Sequence, residues 1–349
     1  MEKDMQAVQI SAPNQVELIH RPIPRPKQGE ALLRLLYGGI CGSDLGSYRG
    51  TFAYVSYPRI PGHEFSAEIV EITPNTHGFS EGMVVTANPY FNCGHCYACR
   101  HGLVNACMHN QTMGVQRDGA FSQYITMPIN RLYDGKGLSP RTLAMIEPFC
   151  IAHHGVQRAS IKEGETVLIM GAGTIGMLCA FILQSKQANI WIADIDLQKL
   201  LFAQSLGFSQ TILNDDPNHL QQQIQIATNH NGFDVVVEAV GAATTFLSCI
   251  DAAAYGGRMV QIGVGKQEAL FNFTQIQKKE LAIYGSRNAV DKDFVSVLDM
   301  IANADIPFER LISKIYPFTD ASQAFEFFSQ GSGLRMKILL DFTEERTND

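Results

Sequence analysis

The sequence feature that most constrains this chain is a group of four cysteines within a short stretch. It reads Cys93-Gly-His-Cys96-Tyr-Ala-Cys99 and is followed by Cys107. Zinc binds four thiolates in a closed tetrahedral cage, and short, turn-forming spacings bring the sulfurs together. The alternative is two disulfides of a secreted protein, which nothing else in the sequence favours. A closed cage leaves no coordination position for a reactant, so we predict a structural zinc in a lobe spanning 93–107 and expect the chemistry elsewhere.

Length and charge limit the class of protein. A chain of 349 residues is too long for one ordinary core and predicts two domains. A net charge of −7 argues against nucleic acid or an anionic membrane as a partner. The sequence has no apolar run of about 18 residues that would span a membrane, and its first residues do not resemble a secretory signal. These features, with many cysteines, predict a cytoplasmic protein.

Two hydrophobic patterns divide the chain. Short alternating apolar runs, broken by proline and glycine, extend over 7–72 and predict a β-rich barrel or sandwich. From Thr166 onward, apolar strands alternate with helical segments, which is typical of a parallel, doubly wound sheet. The predicted strands are 166–170, 189–193, 235–237 and 258–262. The polar segment 213–231 is predicted as an exposed helix and loop, and 336–340 as a strand that rejoins the first domain.

A glycine-rich motif follows the first strand of the doubly wound region. Gly171, Gly173 and Gly176 form a G-x-G-x-x-G pattern that leads directly into an apolar helix. The first glycine permits a tight turn, the second lets the backbone approach a pyrophosphate, and the third lets the helix pack on the sheet. Asp194 ends the next strand and is placed to accept hydrogen bonds from ribose hydroxyls, which favours NAD over NADP. Asp196 is close enough to hold this role instead.

Three fragments carry further metal-ligand residue types in loops. They are Gly39-Ile-Cys41-Gly-Ser43-Asp, Pro61-Gly-His63-Glu64 and Ile146-Glu147-Pro. Together with the four-cysteine lobe and the glycine motif, and in this order, they resemble the zinc-dependent medium-chain dehydrogenase/reductase superfamily. The resemblance extends over essentially the whole chain and includes the segment 118–124.

The resemblance implies a fold, two domains and a set of cofactors. The fold is α/β, with a GroES-like β-rich catalytic domain formed by 1–149 and 288–349 and a Rossmann domain with a doubly wound parallel sheet formed by 150–287. Two Zn²⁺ ions per chain and NAD are the implied cofactors. Members of the superfamily are usually dimers or tetramers, so a homodimer or homotetramer is expected.

The resemblance also implies roles for the loop residues. Cys41 and His63 are expected to bind a catalytic zinc, and Glu64 and Glu147 to share or exchange the remaining coordination, directly or through water. Ser43 is at the position of a relay hydroxyl that passes the alcohol proton toward the cofactor. Many relatives complete this relay with a histidine where this chain has Gly46. His153 and His154 are candidates for that outer step, although packing as helix residues near the domain junction is the favoured interpretation of both.

The resemblance also implies which residues contact the cofactor and the substrate. The implied cofactor contacts are Gly171, Gly173, Thr174, Ile175, Gly176, Asp194, Lys199, Ile262, Gly263, Val264, Ser286 and Arg287. Arg287 and Asn288 are expected beside the substrate, where the guanidinium of Arg287 can pair with a carboxylate.

The expected reaction is oxidation of a secondary alcohol of a sugar acid or polyol to a ketone. The wording Gly285-Ser-Arg-Asn-Ala289 most resembles the bacterial L-galactonate and L-gulonate 5-dehydrogenase branch. Sorbitol-, xylitol-, short-diol- and threonine-type dehydrogenases are the alternative enzymes, and a nucleotide-binding relic without catalysis is the alternative of another class.

Overall fold

The computed structural model describes residues 4–265, 267–304, 306–330 and 333–343. The strands are β1 Asp4–Ala12, β2 Gln15–Pro22, β3 Glu30–Ile40, β4 Glu64–Ile72, β5 Val84–Ala87, β6 Tyr90–Phe91, β7 Gln111–Thr112, β8 Tyr124–Pro128, β9 Leu132–Asp134, β10 Thr166–Met170, β11 Asn189–Asp194, β12 Thr211–Leu213, β13 Phe233–Glu238, β14 Ala253–Gln261, β15 Ala282–Gly285, β16 Ile312–Pro317 and β17 Lys337–Asp341. The helices are α1 Gly42–Tyr48, α2 Tyr97–Arg100, α3 Pro140–Leu143, α4 Ile146–Arg158, α5 Thr174–Ser185, α6 Leu197–Ser205, α7 Pro217–Ala227, α8 Ala243–Ala252, α9 Thr274–Lys279, α10 Asp291–Asn303 and α11 Ala321–Gln330. None of the helices in this described part is both long and apolar enough to cross a membrane.

The chain forms two compact units. The first comprises Met1–Glu147, Ala289–Asp305 and Glu309–Asp349, and the second comprises Pro148–Asn288 with Ile306–Phe308. The first unit is rich in strands and the second alternates strands and helices, so the fold class predicted from the sequence is confirmed.

The first unit is built on a seven-stranded sheet. Its strand order is β16-β17-β3-β4-β5-β9, and β8 also pairs with β3. The long strand β3 is buried along most of its length, and its apolar side chains pack with those of β4 around Phe65 and Phe121. The last strand, β17, pairs antiparallel with β3, so the C-terminal strand returns to the first unit as predicted.

A glycine-dependent contact fixes the loop that enters β4. Gly62 has a φ of +98°, which favours glycine because other side chains are strained in that region. A Cβ added to Gly119 would lie 2.3 Å from the carbonyl oxygen of Pro61. The backbone N–H of Gly119 donates to the Ile60 carbonyl at 2.7 Å, and that of Ala120 donates to the Gly62 carbonyl at 2.9 Å. The segment 119–120 therefore holds the 60–62 loop by direct backbone contact.

The second unit is a six-stranded parallel sheet in the order β12-β11-β10-β13-β14-β15. The reversal of order beside β10 is the doubly wound pattern, and α7 is the helix expected within 213–231. The strand predicted over 258–262 in fact starts at Ala253. The sequence Tyr255-Gly-Gly257 reads as a turn, and Gly256 does have a φ of +74°, yet the backbone still pairs with β13 on either side. Strand pairing here outweighs the local preference of glycine for turns.

Candidate metal and dinucleotide sites

The four cysteines of the 93–107 lobe form one cluster. Their sulfur atoms all lie within 4.8 Å of one another, and neighbouring pairs are 3.5 to 3.9 Å apart. Zn–S bonds of about 2.3 Å in a tetrahedron place sulfurs about 3.8 Å apart, so the cluster has the dimensions of a zinc cage. Gly94 and Gly102 have φ values of +78° and +74° and turn the backbone around the cluster. All eight cysteines lie in the described part of the chain and none forms a disulfide.

Backbone N–H groups donate to sulfurs of this cluster and favour loss of the proton from Cys96. Hydrogen bonds from the backbone of Cys99 and then Met108 lower the pKa of Cys96 to about 6. Burial raises the pKa of Cys107 to about 11, although the N–H groups of Cys93 and His109 both donate to its sulfur at 3.3 Å. The donor set, its spacing and its N–H support fit a structural zinc.

The second cluster lies where two neighbouring strands of the first unit meet a loop. Cys41 follows β3 and caps α1, and His63 directly precedes β4. Because Gly39 pairs with Glu64 across β3 and β4, the strand register brings these loop residues together. Ligand atoms of Cys41, His63 and Glu64 all lie within 4.8 Å of one another. A Cβ at position 39 would lie 2.3 Å from Glu64 Oε2. Because residue 39 is glycine, there is room for this carboxylate.

His63 is oriented for one ligand role. Its Nε2 lies 3.4 Å from Ser43 Oγ, and its buried Nδ1 has no hydrogen-bond partner and lies 3.8 Å from Asp44 Oδ1. Burial lowers the pKa of His63, but Asp44 and then Cys41 raise it by more, so that it lies well above its usual value. A metal on Nε2 would place the imidazole proton on Nδ1, facing the Asp44 carboxylate, which is the arrangement that fixes metal-bound histidines. Asp44 is itself held by the N–H groups of Cys41 and Gly62, at 3.0 and 3.2 Å.

Glu147 lies beside this cluster, at the start of α4. It is 3% exposed and accepts a hydrogen bond from the hydroxyl of Tyr90. Burial raises the pKa of Glu147 to about 7; His63 lowers it and Glu64 raises it further. These interactions place Glu147 near the other ligand types, although it is not one of the three whose atoms converge.

Lys337 is a site residue that the motifs did not identify. Its ammonium group forms an ion pair with Glu64 and also donates to the Ile40 carbonyl at 3.3 Å. Glu64 and Lys337 are only 1% and 3% exposed. Burial lowers the pKa of Lys337, but Glu64 and Cys41 raise it by more, so the lysine is held in its charged form. The available signal was a single charge within the otherwise apolar strand Met336-Lys-Ile-Leu-Leu340.

Gly46 stands at the position where a relay histidine was expected, and another side chain occupies the space beside it. A Cβ at Gly46 would lie 3.2 Å from Phe52 Cβ, so Phe52 occupies the adjacent space. His153 is buried within α4 and contacts Gln157 at 3.1 Å, which agrees with the packing interpretation of this histidine. His154 is partly buried in the same helix.

The glycine motif of the second unit has the geometry that a dinucleotide loop requires. Gly171 has a φ of +109°, and Gly173 caps the N-terminus of α5. A Cβ at Gly176 would lie 1.8 Å from the Gly171 carbonyl oxygen, so close helix–strand packing excludes any side chain there. Thr174 and Ile175 form the first turn of α5, where free N–H groups and the helix dipole favour phosphate.

Asp194 and Asp196 occupy different environments. Asp194 is buried, and its carboxylate accepts hydrogen bonds from the N–H groups of Ala172 at 2.7 Å and Asp196 at 2.9 Å. Asp196 caps α6 through Gln198, and Lys199 lies in the first turn of that helix. Asp194 therefore contacts the glycine loop itself, whereas Asp196 serves the following helix.

The remaining cofactor candidates follow the C-terminal ends of β14 and β15. Ile262 and Gly263 donate backbone hydrogen bonds to Glu238 at 2.9 and 3.1 Å, and Val264 is exposed. Ser286 is partly buried, and its Oγ is buried without a hydrogen-bond partner, while Arg287 is exposed and Asn288 has a φ of +50°. Ligands of doubly wound sheets bind at this strand end, so the structure brings these candidates to the same edge of the sheet as the glycine loop.

Glu238 is a second residue that the motifs did not identify. It ends β13, is fully buried, and accepts hydrogen bonds from Gly241 N, Thr245 Oγ and Gln261 Nε2 at 2.9, 2.6 and 2.6 Å. The loop that it holds lies against the glycine motif, because a Cβ at Gly171 would be 2.7 Å from Val240. Glu238 thus shapes one wall of the dinucleotide loop.

Replacing Lys337 with methionine tests the ion pair. In Lys337→Met the Glu64 carboxylate stays buried without its cation, so we expect the free energy of unfolding to fall by about 3–5 kcal/mol. Lys337→Arg keeps the charge and should retain most of the stability. Urea titration of the natural chain and the two variants, all prepared in the same way, measures both changes. Equal stability of Lys337→Met and the natural chain would contradict a structural role for the pair.

Comparison with known proteins identifies the family. Residues 27–136 match the alcohol dehydrogenase GroES-like domain, and residues 174–303 match the zinc-binding dehydrogenase domain. L-galactonate-5-dehydrogenase of Escherichia coli K12 is 32% identical over 314 residues, which is 90% of this chain and 92% of that protein.

Solved structures agree with the sequence matches. An alcohol dehydrogenase (RspB) of E. coli CFT073 in complex with NADH has a TM-score of 0.90 at 30% identity, covering 97% of this chain and 99% of that one. A zinc-binding dehydrogenase of Sinorhizobium meliloti bound to NADP has a TM-score of 0.89 at 27% identity, with the same coverage. This chain belongs to the zinc-dependent alcohol dehydrogenase family of medium-chain dehydrogenases and is an oxidoreductase that acts on CH–OH donors.

Proposed function

We propose that the chain is a zinc- and NAD-dependent dehydrogenase that oxidises a secondary alcohol of a sugar acid or polyol to a ketone. The observation that carries the proposal is the convergence of the partly buried Cys41 with the buried His63 and Glu64, with Glu147 beside them. Thiol, imidazole and carboxylate donors of this kind suit a catalytic zinc, and the cysteine cage would hold a second, structural ion. No disulfide joins any of the eight cysteines, all of which lie in the described part of the chain, and this supports a reducing compartment such as the cytoplasm.

Each residue of the site has a separate role in the proposed alcohol oxidation. Zn²⁺ supplies Lewis acidity that lowers the pKa of an alcohol, and NAD supplies a hydride acceptor. Ser43 places a hydroxyl 3.4 Å from His63 Nε2, where it can receive a proton from a reacting alcohol and pass it to water. Glu147 would share or exchange the remaining zinc coordination with Glu64, directly or through water. Asp44 keeps His63 in position through its Nδ1 side.

Two observations support a sugar acid as the substrate class. The first is the relative named L-galactonate-5-dehydrogenase, which matches over nine-tenths of this chain. The second is Arg287, an exposed guanidinium directly after β15 and Ser286. A guanidinium forms paired hydrogen bonds with a carboxylate and has no comparable partner on a neutral polyol.

We expect NAD-dependent turnover on a hexonate, measured as the appearance of NADH over a panel of hexonates, hexitols, pentitols and threonine. Cys41→Ser should abolish turnover while NAD binding is retained, because Cys41 lies in the first unit and the glycine motif in the second. Arg287→Gln should raise the KM for a hexonate by about tenfold and leave the KM for a hexitol unchanged.

Zinc content provides the control for this panel. The natural chain should contain two zinc ions, Cys41→Ser one, and Cys96→Ser should lose the structural ion. Full activity in Cys41→Ser would refute the catalytic metal site. Turnover on neutral polyols alone would exclude the sugar-acid class and retain the metal chemistry.

Asp194 generates a prediction on cofactor choice. A carboxylate at the ribose disfavours a 2′-phosphate, so Asp194→Ala should weaken NAD binding by about tenfold and reduce the preference for NAD over NADP. Asp196→Ala is the matched control, since that carboxylate caps α6. Calorimetric titration with both dinucleotides measures the change. An unchanged preference in Asp194→Ala, with a loss in Asp196→Ala, would transfer the role to Asp196.

We propose that the chain forms a homodimer or homotetramer in which β15 contributes to the interface. It is the last strand of the six-stranded sheet, and an edge strand offers backbone groups for pairing with a second copy. Ile283→Pro removes one backbone donor from this strand and should shift the protein toward monomer in sedimentation velocity, whereas Ile283→Val should not. A monomeric natural chain would contradict the proposal.

A further inference from the structure

The first unit contains a cavity that has no part in the site described above. It has a volume of about 510 Å³ and lies among β1, the end of β2 with the segment 22–25, β6, the segment 113–119 and β8. Small-molecule sites in proteins usually have about 300–1,000 Å³. None of the predicted metal, cofactor or substrate residues lines it.

The cavity combines an apolar wall with positive charge. Buried apolar side chains on the wall are Met5, Ile60, Met113, Ile125 and Met127. Three arginines, Arg21, Arg25 and Arg117, also line it, whereas Asp118 is the one carboxylate among the described lining residues.

Asp118 pairs with one of the three arginines, Arg21, and a single carboxylate does not balance all three. Its two carboxylate oxygens already bind Arg21 at 3.0 Å and Arg59 at 3.1 Å. Burial lowers the pKa of Arg117, and the nearby carboxylates of Glu30 and Asp118 raise it by less. Within the described part of the chain, no hydrogen bond or ion pair joins Arg25 or Arg117 to an acid. The cavity therefore has an excess of positive charge although the whole chain is acidic.

Arg117 is held in place by an aromatic ring and not by an acid. Its guanidinium carbon lies 3.8 Å from the ring centroid of Phe91, and that of Arg131 lies 4.4 Å from the same centroid. Arg131 also binds the Tyr90 carbonyl and Asn92 Oδ1, so it is fixed by neutral partners. Stacking orients a guanidinium while leaving its N–H groups available to an acceptor in the ring plane. Two like charges on one ring repel each other, and a bound anion would relieve that repulsion.

We propose that this cavity binds a small organic anion whose phosphate or carboxylate is held by Arg117 and Arg25 and whose apolar part packs on the methionine and isoleucine wall. Arginine is the side chain best suited to oxyanions, since its planar fork donates two parallel hydrogen bonds. The volume and the apolar wall leave room for a ring or a short chain beside the oxyanion.

Phenyl phosphate is the probe for this site, titrated by calorimetry into the zinc-loaded protein with NAD at saturation to block the dinucleotide loop. The expected result is a 1:1 complex that is weakened about tenfold or more in Arg117→Gln and in Arg25→Gln. Arg49→Gln removes an exposed arginine that binds Ser329 and does not line the cavity, so it should bind the probe like the natural chain.

Further ligands test the oxyanion site and the apolar wall separately. Benzoate replaces phosphate by carboxylate and shows which oxyanion is preferred. Phenol and inorganic phosphate each lack one half of the probe and should bind about tenfold more weakly than phenyl phosphate. Affinity that is absent in the natural chain, or that is the same in Arg117→Gln and Arg25→Gln as in the natural chain, would overturn the proposal. Equal affinity for inorganic phosphate would overturn the role of the apolar wall.

Discussion

The buried ion pair between Glu64 and Lys337 is the interaction on which the first unit most depends. Moving either charge from water into a protein interior costs several kcal/mol, and the cost is tolerable only when the partner is in place. Lys337 lies on β17, close to the end of the chain, whereas Glu64 opens β4. The pair thus joins the C-terminal strand to the strand that carries the cluster. The register in which β17 pairs with β3 positions Lys337 so that it reaches Glu64.

Charge balance then explains why the cluster suits a divalent cation. In their ionised forms Cys41, Asp44, Glu64 and Glu147 contribute four negative charges, and Lys337 contributes one positive charge. The excess of negative charge favours binding of a divalent cation. Without the ion, burial raises the pKa of Glu147 to about 7, so this carboxyl resists ionisation as a buried acid should. A thiolate in place of Glu147 would keep the charge, but it would be a softer ligand than the carboxylate.

Much of the fold and of the candidate site could be predicted from local sequence. The rest depends on the pairing of strands that are distant along the chain. The cysteine lobe and the glycine motif are contiguous, so their spacing alone predicts their geometry, and the structure shows both in that form. Cys41 and His63 come together because β3 and β4 pair, which the alternation of apolar residues only suggests. The sequence did not predict the roles of Lys337 and Glu238. Each of them binds partners that are distant along the chain or lie in loops, and these come close only when the sheets form. For Lys337 the available signal was a single charge within the apolar run Met336-Lys-Ile-Leu-Leu340, and for Glu238 it was a carboxylate that directly follows the apolar run Val235-Val-Val237.

The arginine-lined cavity shows why composition could not predict the local electrostatics. A net charge of −7 correctly indicates an acidic chain, yet it averages over the whole surface. Arg21, Arg25 and Arg117 are separated by up to 96 residues and form no basic run in the sequence. They meet because the β1–β2 hairpin lies beside the segment that follows the cysteine lobe, as the hydrogen bond from Val8 N to the Phe121 carbonyl at 2.8 Å records. Net charge therefore bears on long-range attraction to polyanions, whereas recognition of a small anion depends on how strands from distant parts of the chain are paired.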